Sequence, residues 1–166
     1  MDMRPCILFV DDEERVVNQL RMIFRQDYEV HTATSGAAGL QILQSTQIDV
    51  VVSDQRMPGM TGIEFLAQVR RLQPSAMRLL LTGYSDLAAI VGSVNEGEVF
   101  RFINKPWDHA EIQAIIAAAV QAGSAARVAA VPTDQAVQDF MAQAAQRPQV
   151  LIIDDQRSDL DAIAHL

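Results

Sequence analysis

The sequence predicts a doubly wound α/β fold, in which a parallel sheet of five strands is covered by five helices. Two observations predict it: short apolar segments typical of buried parallel strands recur along the chain, and segments with helical spacing of apolar residues separate them. The composition agrees, because 49% of the 166 residues are hydrophobic and 20% are charged. These values exclude collagen-like, disordered and coiled-coil proteins.

The first half of the sheet is predicted from three segments. Cys6–Val10 is apolar throughout, which is typical of a strand buried on both faces. Tyr28–Ala33 alternates in polarity, which is typical of an edge strand, and Ile48–Val52 is again largely apolar. The helix after the first strand has one apolar face, formed by Val16, Leu20, Ile23 and Phe24.

The second half follows the same alternation. Met77–Leu81 is predicted as an internal strand, and Val99–Ile103, which carries a central arginine, as the other edge strand. Apolar residues at positions i, i+3, i+4 and i+7 predict the two helices that follow these strands. They are Leu87, Ile90, Val91 and Val94 in the fourth helix, and Ile112, Ile115, Ile116, Ala119 and Val120 in the fifth.

With the second and fifth strands at the edges, right-handed crossovers leave the strand order 2-1-3-4-5, which is that of flavodoxin-like sheets. The winding then reverses between strands one and three. Ligands of such sheets bind outside the carboxyl ends of the strands at this switch point. The residues that follow the strands are therefore the candidate site residues.

Those positions hold three acids, a threonine and a lysine: Asp11, Asp12, Asp54, Thr82 and Lys105. Carboxylates packed together repel and retain protons near neutral pH, and a divalent cation removes this penalty. Mg²⁺ suits the set, with Mn²⁺ as the alternative, because it takes oxygen ligands and bridges carboxylates to a phosphate. The lysine and the threonine would then donate to phosphoryl oxygens.

Each of these residues also has an ordinary structural explanation when it is taken alone. Asp11–Glu14 resembles a capping box, and Asp54 fits a turn. Thr82 fits a helix cap, and Lys105 fits a solvated surface charge. Their joint placement favours a shared function, because Lys105 is the only lysine in the chain and belongs to the same edge of the sheet.

Four motifs occur in order at the predicted strand ends: Asp11-Asp12, the run DQRMPGMTG from Asp54, Thr82-Gly83 and Lys105-Pro106. Through them the chain resembles the receiver domain of bacterial two-component response regulators over roughly its first 120 positions. The surrounding residues are most similar to receivers of hydrogenase-type regulators and of regulators linked to cyclic-dinucleotide phosphodiesterases.

The resemblance implies that Asp54 is a nucleophile, which takes a phosphoryl group from a histidine of a sensor kinase or of a histidine phosphotransfer protein. It also implies that Asp12, Asp54 and the backbone carbonyl of Arg56 ligate Mg²⁺ directly, while Asp11 acts through a water. Positioning and charge stabilisation by a metal and Lys105 are sufficient for phosphoryl transfer.

The resemblance further implies a switch between two conformations. Thr82 would move to the phosphoryl group and Phe102 would turn inward, which changes the face formed by the fourth helix, fifth strand and fifth helix. This face would make partner contacts or a homodimer. The residues Arg56 and Tyr84 would tune the lifetime of the phosphate. The Lys105-Pro106 peptide bond would be cis.

The domain organisation is predicted from a repeat near the end of the chain. Val150–Asp155 matches Ile7–Asp12 at a constant offset of 143 positions. We therefore predict a receiver at 1–122, a helical extension or linker at 123–148 and the truncated start of a second receiver at 149–166. We expect the chain to be part of a longer tandem regulator with an output domain beyond it.

The net charge of −8 disfavours nucleic-acid and membrane partners. Cys6 is the only cysteine, so a disulfide framework is excluded, and the first residues lack the pattern of a signal peptide. We expect a cytoplasmic protein. Its predicted function is a phosphorylatable signalling domain rather than an enzyme. The alternatives are an interaction module that takes no phosphate and, less favoured because Asp11 and Asp12 are adjacent, a phosphatase with an aspartate nucleophile.

Overall fold

The computed structural model describes residues 3–90, 99–125 and 142. In this part of the chain, strands and helices alternate strictly, which confirms the predicted α/β class. The elements are β1 (Cys6–Val10), α1 (Glu14–Phe24), β2 (Glu29–Ala33), α2 (Gly36–Ser45), β3 (Val50–Asp54), α3 (Gly62–Leu72), β4 (Met77–Thr82), α4 (Tyr84–Ile90), β5 (Arg101–Asn104) and α5 (His109–Ala125).

The five strands form one parallel sheet in the order β2-β1-β3-β4-β5, as predicted. β2 and β5 are the edges of the sheet. The register places Val10 of β1 beside Ser53 of β3, and Thr82 of β4 beside Asn104 of β5. The carboxyl ends of the four strands β1, β3, β4 and β5 therefore lie side by side.

Alternate residues of the strands point to opposite faces of the sheet and form a hydrophobic core on each face. On one face, Leu8 and Val51 pack with Leu43 of α2 and Phe65 of α3. On the opposite face, strand residues including Ile7 and Val52 pack with apolar side chains of α1 and α5. Burial on both faces explains why β1 and the first three residues of β3 are all apolar.

Two of the ordinary structural explanations for the acidic and hydroxyl residues are wrong. The N-cap of α1 is Glu13, which makes no side-chain cap hydrogen bond, so Asp11–Glu14 is not a capping box. The Asp11 carboxylate instead accepts a hydrogen bond of 2.9 Å from the Glu13 amide. Thr82 belongs to β4, and α4 begins only at Tyr84.

The fifth helix continues to Ala125, past the predicted domain boundary at residue 122. The remainder of the predicted linker, apart from Ala142, and the predicted start of a second receiver at 149–166 lie outside the described residues. The same is true of Val91 and Val94 in the fourth helix. None of the helices in the described ranges is both long and apolar enough to cross a bilayer.

Candidate functional site

The predicted site residues meet at the carboxyl edge of the sheet. Asp11 directly follows β1, Asp54 is the last residue of β3, Thr82 is the last residue of β4 and Lys105 directly follows β5. The parallel order brings these positions together although they are separated by up to 94 positions in sequence. Asp54 and Asp11 are buried, with 6% and 1% of their surfaces exposed.

Lys105 joins the two buried carboxylates. Its Nζ donates to Asp54 Oδ1 at 2.7 Å and to Asp11 Oδ2 at 3.3 Å, and its side chain is 30% exposed. Lys105 is therefore not the solvated surface charge that a single-residue explanation suggests. It is a compact cation held against the acid cluster, with the rest of its surface available to a second anionic group.

Asp11, Asp12 and Asp54 place their carboxylate oxygens within 4.8 Å of one another. Asp12 is exposed, whereas the other two are buried, so the cluster opens to solvent on one side. An all-oxygen set with an exposed side is suited to Mg²⁺, which keeps several waters and takes one or two carboxylates. The residues present therefore fit the metal that the sequence predicts.

The electrostatics of the cluster are unfavourable without a metal. Burial raises the pKa of Asp54, and Asp12 adds to the rise, while Lys105 opposes it. Burial also raises the pKa of Asp11, and the neighbouring charge of Asp54 contributes. Burial alone would lower the pKa of Lys105, but its hydrogen bonds and charge interactions with Asp54 and Asp11 raise it overall.

The loop after β3 is fixed by hydrogen bonds to the start of α3. Gln55 is buried; its backbone oxygen accepts from the Gly62 amide at 3.0 Å, and its Oε1 accepts from the Ile63 amide at 3.0 Å. Thr61 and Glu64 form a reciprocal capping box at the beginning of α3. Asp54 is therefore followed by a tightly anchored loop.

The side chain of Arg56 leaves this loop toward α4. Its guanidinium binds the carboxylate of Asp86, with Nη2 at 2.6 Å and Nε at 2.8 Å from Oδ1. The pair lies along an open groove of about 500 Å³, whose lining includes Gln55 and Met57. The β3–α3 loop and α4 are thus connected by an ion pair whose arginine lies two residues after Asp54.

The residues predicted to form the switch are both buried. Thr82 is 1% exposed, and its Oγ1 donates to the Gly83 carbonyl at 3.3 Å. Phe102 is also 1% exposed and packs in the core on the α2 and α3 side of the sheet. The Lys105–Pro106 peptide bond is cis. Tyr84 begins α4, and its side chain lies outside the part of the chain that the structure describes.

Sequence reasoning missed two residues that form contacts with or within the β3–α3 loop. Asp86, the partner of Arg56, lies 30 positions further along the chain, and its acidic position in the first turn of α4 was the only local signal. The signal for Gln55 was its position, because it directly follows Asp54 at the end of a buried strand. A polar residue there must satisfy the backbone groups of the turn that follows.

The arrangement of these residues agrees with a known family. A family model described as the response regulator receiver domain matches residues 7–117, which include every predicted site residue and all of the sheet except Cys6, the first residue of β1. The chain belongs to this family. This membership confirms the resemblance found in the sequence, and it defines the chain as a signalling domain rather than a conventional enzyme.

Receiver relatives and structures agree with the assignment. The hydrogenase transcriptional regulatory protein HoxA of Cupriavidus necator is 38% identical over 110 residues, which cover 65% of this chain and 23% of HoxA. The chain thus spans about a quarter of the length of such relatives. The receiver domain of an HD domain-containing protein from Pseudomonas fluorescens Pf-5 has a TM-score of 0.70 at 35% identity, covering 76% of this chain and 94% of that one.

A second similar structure was solved with ligands bound. The response regulator TrrA of Thermotoga maritima, solved in complex with Mg²⁺ and BeF, has a TM-score of 0.62 at 28% identity. The similarity covers 69% of this chain and 98% of that one.

Proposed function

We propose that Asp54 accepts a phosphoryl group from the phosphohistidine of a sensor kinase or of a histidine phosphotransfer protein. The observation that carries the proposal is the 2.7 Å contact between Asp54 and Lys105 at the centre of an acid cluster. It provides a buried carboxylate nucleophile and, beside it, a fixed cation that can receive a phosphoryl oxygen.

The transfer needs little covalent machinery from the protein. A carboxylate oxygen of Asp54 forms a bond to phosphorus while the phosphorus–nitrogen bond to the donor histidine breaks, and the electron pair of that bond stays on the imidazole. Lys105 already contacts Asp54, so it can neutralise charge on the transferred group without a long movement. The anchored loop after β3 keeps the nucleophile in place.

The acid cluster would hold Mg²⁺, with Mn²⁺ as an alternative. Asp12, Asp54 and the backbone carbonyl of Arg56 would be direct ligands, and Asp11 would act through a water. When bound, the metal neutralises charge on the phosphoryl oxygens. The proximity of the three carboxylates supports this assignment, as does the Mg²⁺ complex of the similar TrrA receiver.

The phosphoryl group would then bias a two-state domain. Its charge of about −1.5 to −2 attracts both Lys105 and the hydroxyl of Thr82. Movement of Thr82 would be coupled to Phe102, since β4 and β5 are adjacent and both side chains are buried. The signal would reach partners, or a second copy, through the face formed by α4, β5 and α5.

We further propose that this receiver acts together with an output domain, in keeping with the greater length of HoxA. We infer a cytoplasmic location, because the similar protein HoxA is named a transcriptional regulatory protein. The chain would contact a kinase or a phosphotransfer protein rather than nucleic acid, because the net charge of −8 of the full sequence opposes binding to phosphates.

Arg56 and Tyr84 would tune how long the phosphate persists. The ion pair between Arg56 and Asp86 supports a screening role, since it holds in place a long side chain that begins two residues after Asp54. Slow loss of the phosphoryl group is the expected consequence.

Phosphorylation by a small acyl phosphate tests the proposal. The full chain, incubated with Mg²⁺ and acetyl phosphate, should gain the mass of one phosphoryl group. The gain should disappear in Asp54→Asn and persist in the matched control Asp27→Asn, an exposed acid in the turn between α1 and β2. Steady hydrolysis of many phosphate esters would instead indicate a phosphatase. Absence of both mass gain and hydrolysis would indicate an interaction module.

A further inference from the structure

A second group of metal-ligating side chains lies away from the acid cluster. Cys6, Glu29 and His31 place a sulfur, a carboxylate oxygen and an imidazole nitrogen within 4.8 Å of one another. The receiver chemistry described above uses none of the three.

The sheet register explains why these side chains meet. Cys6 is the ladder partner of Glu29, and Leu8 is the partner of His31. Partners in a parallel ladder direct their side chains to the same face, as do residues two apart on one strand. Cys6, Glu29 and His31 therefore project together on the face that carries α2 and α3, at the edge of the sheet formed by β2.

The group combines a buried end with an open end. Cys6 is 7% exposed, whereas the side chains of His31 and Glu29 are 29% and 60% exposed. His31 Nε2 and Glu29 Oε1 lie 3.1 Å apart. A cation arriving from solvent would first meet the carboxylate and the imidazole, and the sulfur would be the innermost ligand.

We propose that Cys6, Glu29 and His31 form a metal site for a thiophilic divalent cation of the Zn²⁺ class. Zn²⁺ is four-coordinate with sulfur, nitrogen and oxygen ligands, and sites with three protein ligands keep the fourth position for water. Mg²⁺ is excluded by the ligand types, because it requires oxygen ligands in octahedral geometry.

The electrostatic surroundings favour a cation. The Asp49 carboxylate accepts a hydrogen bond of 2.8 Å from the Cys6 amide, which places a second negative charge beside the site. Burial, with the charges of Glu29 and Asp49, raises the pKa of the Cys6 thiol to about 11. Metal binding at neutral pH therefore releases the thiol proton to solvent as the metal–sulfur bond forms.

This site and the acid cluster are independent. Cys6 begins β1, while Asp11 directly follows its end, so five residue steps of roughly 3.3 Å separate the two by about 17 Å. A cation in one site would not share ligands with a cation in the other. The two can therefore be measured separately in one protein.

Co²⁺ titration of the full, metal-free chain tests the proposal, because Co²⁺ accepts the same ligands as Zn²⁺ and absorbs light. Cys6 is the only cysteine, so a thiolate-to-cobalt charge-transfer band in the near ultraviolet reports binding at this site alone. We expect one equivalent to produce the band and Zn²⁺, but not excess Mg²⁺, to remove it. His31→Gln and Glu29→Gln should each weaken Co²⁺ binding by about tenfold or more.

The controls separate this site from the acid cluster and from loss of folding. His109→Gln, at the exposed start of α5, and Asp54→Asn should both retain the band. The His31→Gln variant should still accept phosphate from acetyl phosphate, and this labelling would show that the variant is folded. The proposal is overturned if saturating Co²⁺ gives no charge-transfer band, if the band is unchanged in His31→Gln and Glu29→Gln, or if Asp54→Asn abolishes Co²⁺ binding.

Discussion

The central residue of the site is Lys105, because it compensates two buried carboxylates at once. The ion pairs exist only where the partners are charged. The pKa values of Asp54 and Asp11 are raised above 3.8, and that of Lys105 is raised above 10.5. The raised pKa values of Asp54 and Asp11 mean that their burial costs stability as pH rises through those values, and Lys105 offsets part of this cost once the carboxylates are charged. The contribution of Lys105 is present below its ordinary pKa and is lost as pH rises through its raised pKa.

Replacement of Lys105 should consequently lower the free energy of unfolding by an amount that depends on pH. In the absence of metal, we expect Lys105→Met to lower the free energy of unfolding by about 1–2 kcal/mol near neutral pH. The loss should shrink as pH falls and the carboxylates become protonated. Urea unfolding at several pH values, with a chelator present, measures both quantities. A loss that is the same at about pH 4 and about pH 7 would contradict the ion-pair explanation.

Lys105→Arg is the informative companion variant. It keeps the positive charge, so its stability should depend on pH as in the parent chain. The guanidinium is planar and longer than an ammonium group, so it cannot reproduce the compact contact to both Asp54 and Asp11. We expect this variant to accept phosphate but to transmit the change poorly to the region around Phe102, as monitored by side-chain NMR or partner binding.

At the scale of elements, the start of α3 is packed directly against the end of β3. A Cβ added to Gly62 would collide with the backbone carbonyl of Asp54 and would lie 2.7 Å from Leu80 Cδ1. Backbone cannot yield as a flexible side chain does. The close approach of α3 to β3 therefore requires glycine and fixes the backbone that carries the phosphate acceptor.

Gly62→Ala should destabilise the fold by about 1–3 kcal/mol and also slow phosphorylation of Asp54, because relief of the collision displaces the β3 backbone. Gly59→Ala is a matched comparison. Gly59 has a φ of 81° but open space around its Cα, so its replacement should cost about 1 kcal/mol through backbone strain without displacing Asp54. Chemical denaturation and rates of acetyl phosphate labelling distinguish the two. Equal labelling rates would argue against a positioning effect of Gly62.

The ion pair between Arg56 and Asp86 links the β3–α3 loop to α4, and its effect should be kinetic. Arg56 is 76% exposed, so breaking the pair should change stability by less than about 1 kcal/mol. We expect Asp86→Asn to shorten the phosphoryl lifetime several-fold, because the Arg56 side chain would no longer be held in one position two residues after Asp54.

A double-mutant cycle tests this link, with the decay of phosphorylated protein followed by mass spectrometry. Arg56→Ala should shorten the lifetime to a similar degree, and the double variant should show little further change. Additive effects of the two substitutions would show that the residues act separately.

For the whole molecule, Mg²⁺ should stabilise the fold by an amount that grows with pH. The raised pKa values of Asp54 and Asp11 mean that protons compete with the metal in mildly acidic solution. The rise in melting temperature on adding Mg²⁺ should therefore be larger at about pH 8 than at about pH 5. Asp12→Asn should reduce the rise at both values. A rise that is independent of pH would contradict metal binding at these carboxylates.

The sequence was sufficient to predict the strand order and the meeting of the site residues, because edge strands and apolar internal strands leave one acceptable topology. Local details depended on tertiary contacts. The strand predicted from Ile48 begins at Val50, since the Ile48 amide donates to Gln73 Oε1 at 2.9 Å. Asp11 looked like part of a cap, but it lies before a helix that Glu13 caps without a side-chain hydrogen bond.

Pairs distant in sequence could not be predicted from local patterns. The contact between Arg56 and Asp86 depends on where α4 lies relative to the β3–α3 loop. The group of Cys6, Glu29 and His31 depends on the register of β1 and β2, which polarity alternation alone does not specify. In both cases the contact arises only in the folded structure, so the sequence around each residue does not predict it.

The single lysine also makes the chain unusually simple for amine-directed labelling. Acylating reagents attack unprotonated amines, and only Lys105 and the α-amino group can supply them. The contacts of Lys105 with Asp54 and Asp11 raise its pKa and occupy its nitrogen, so acylation should be slow while they persist. The number of acyl groups in an intact mass spectrum therefore reports whether Lys105 is still in contact with Asp54 and Asp11.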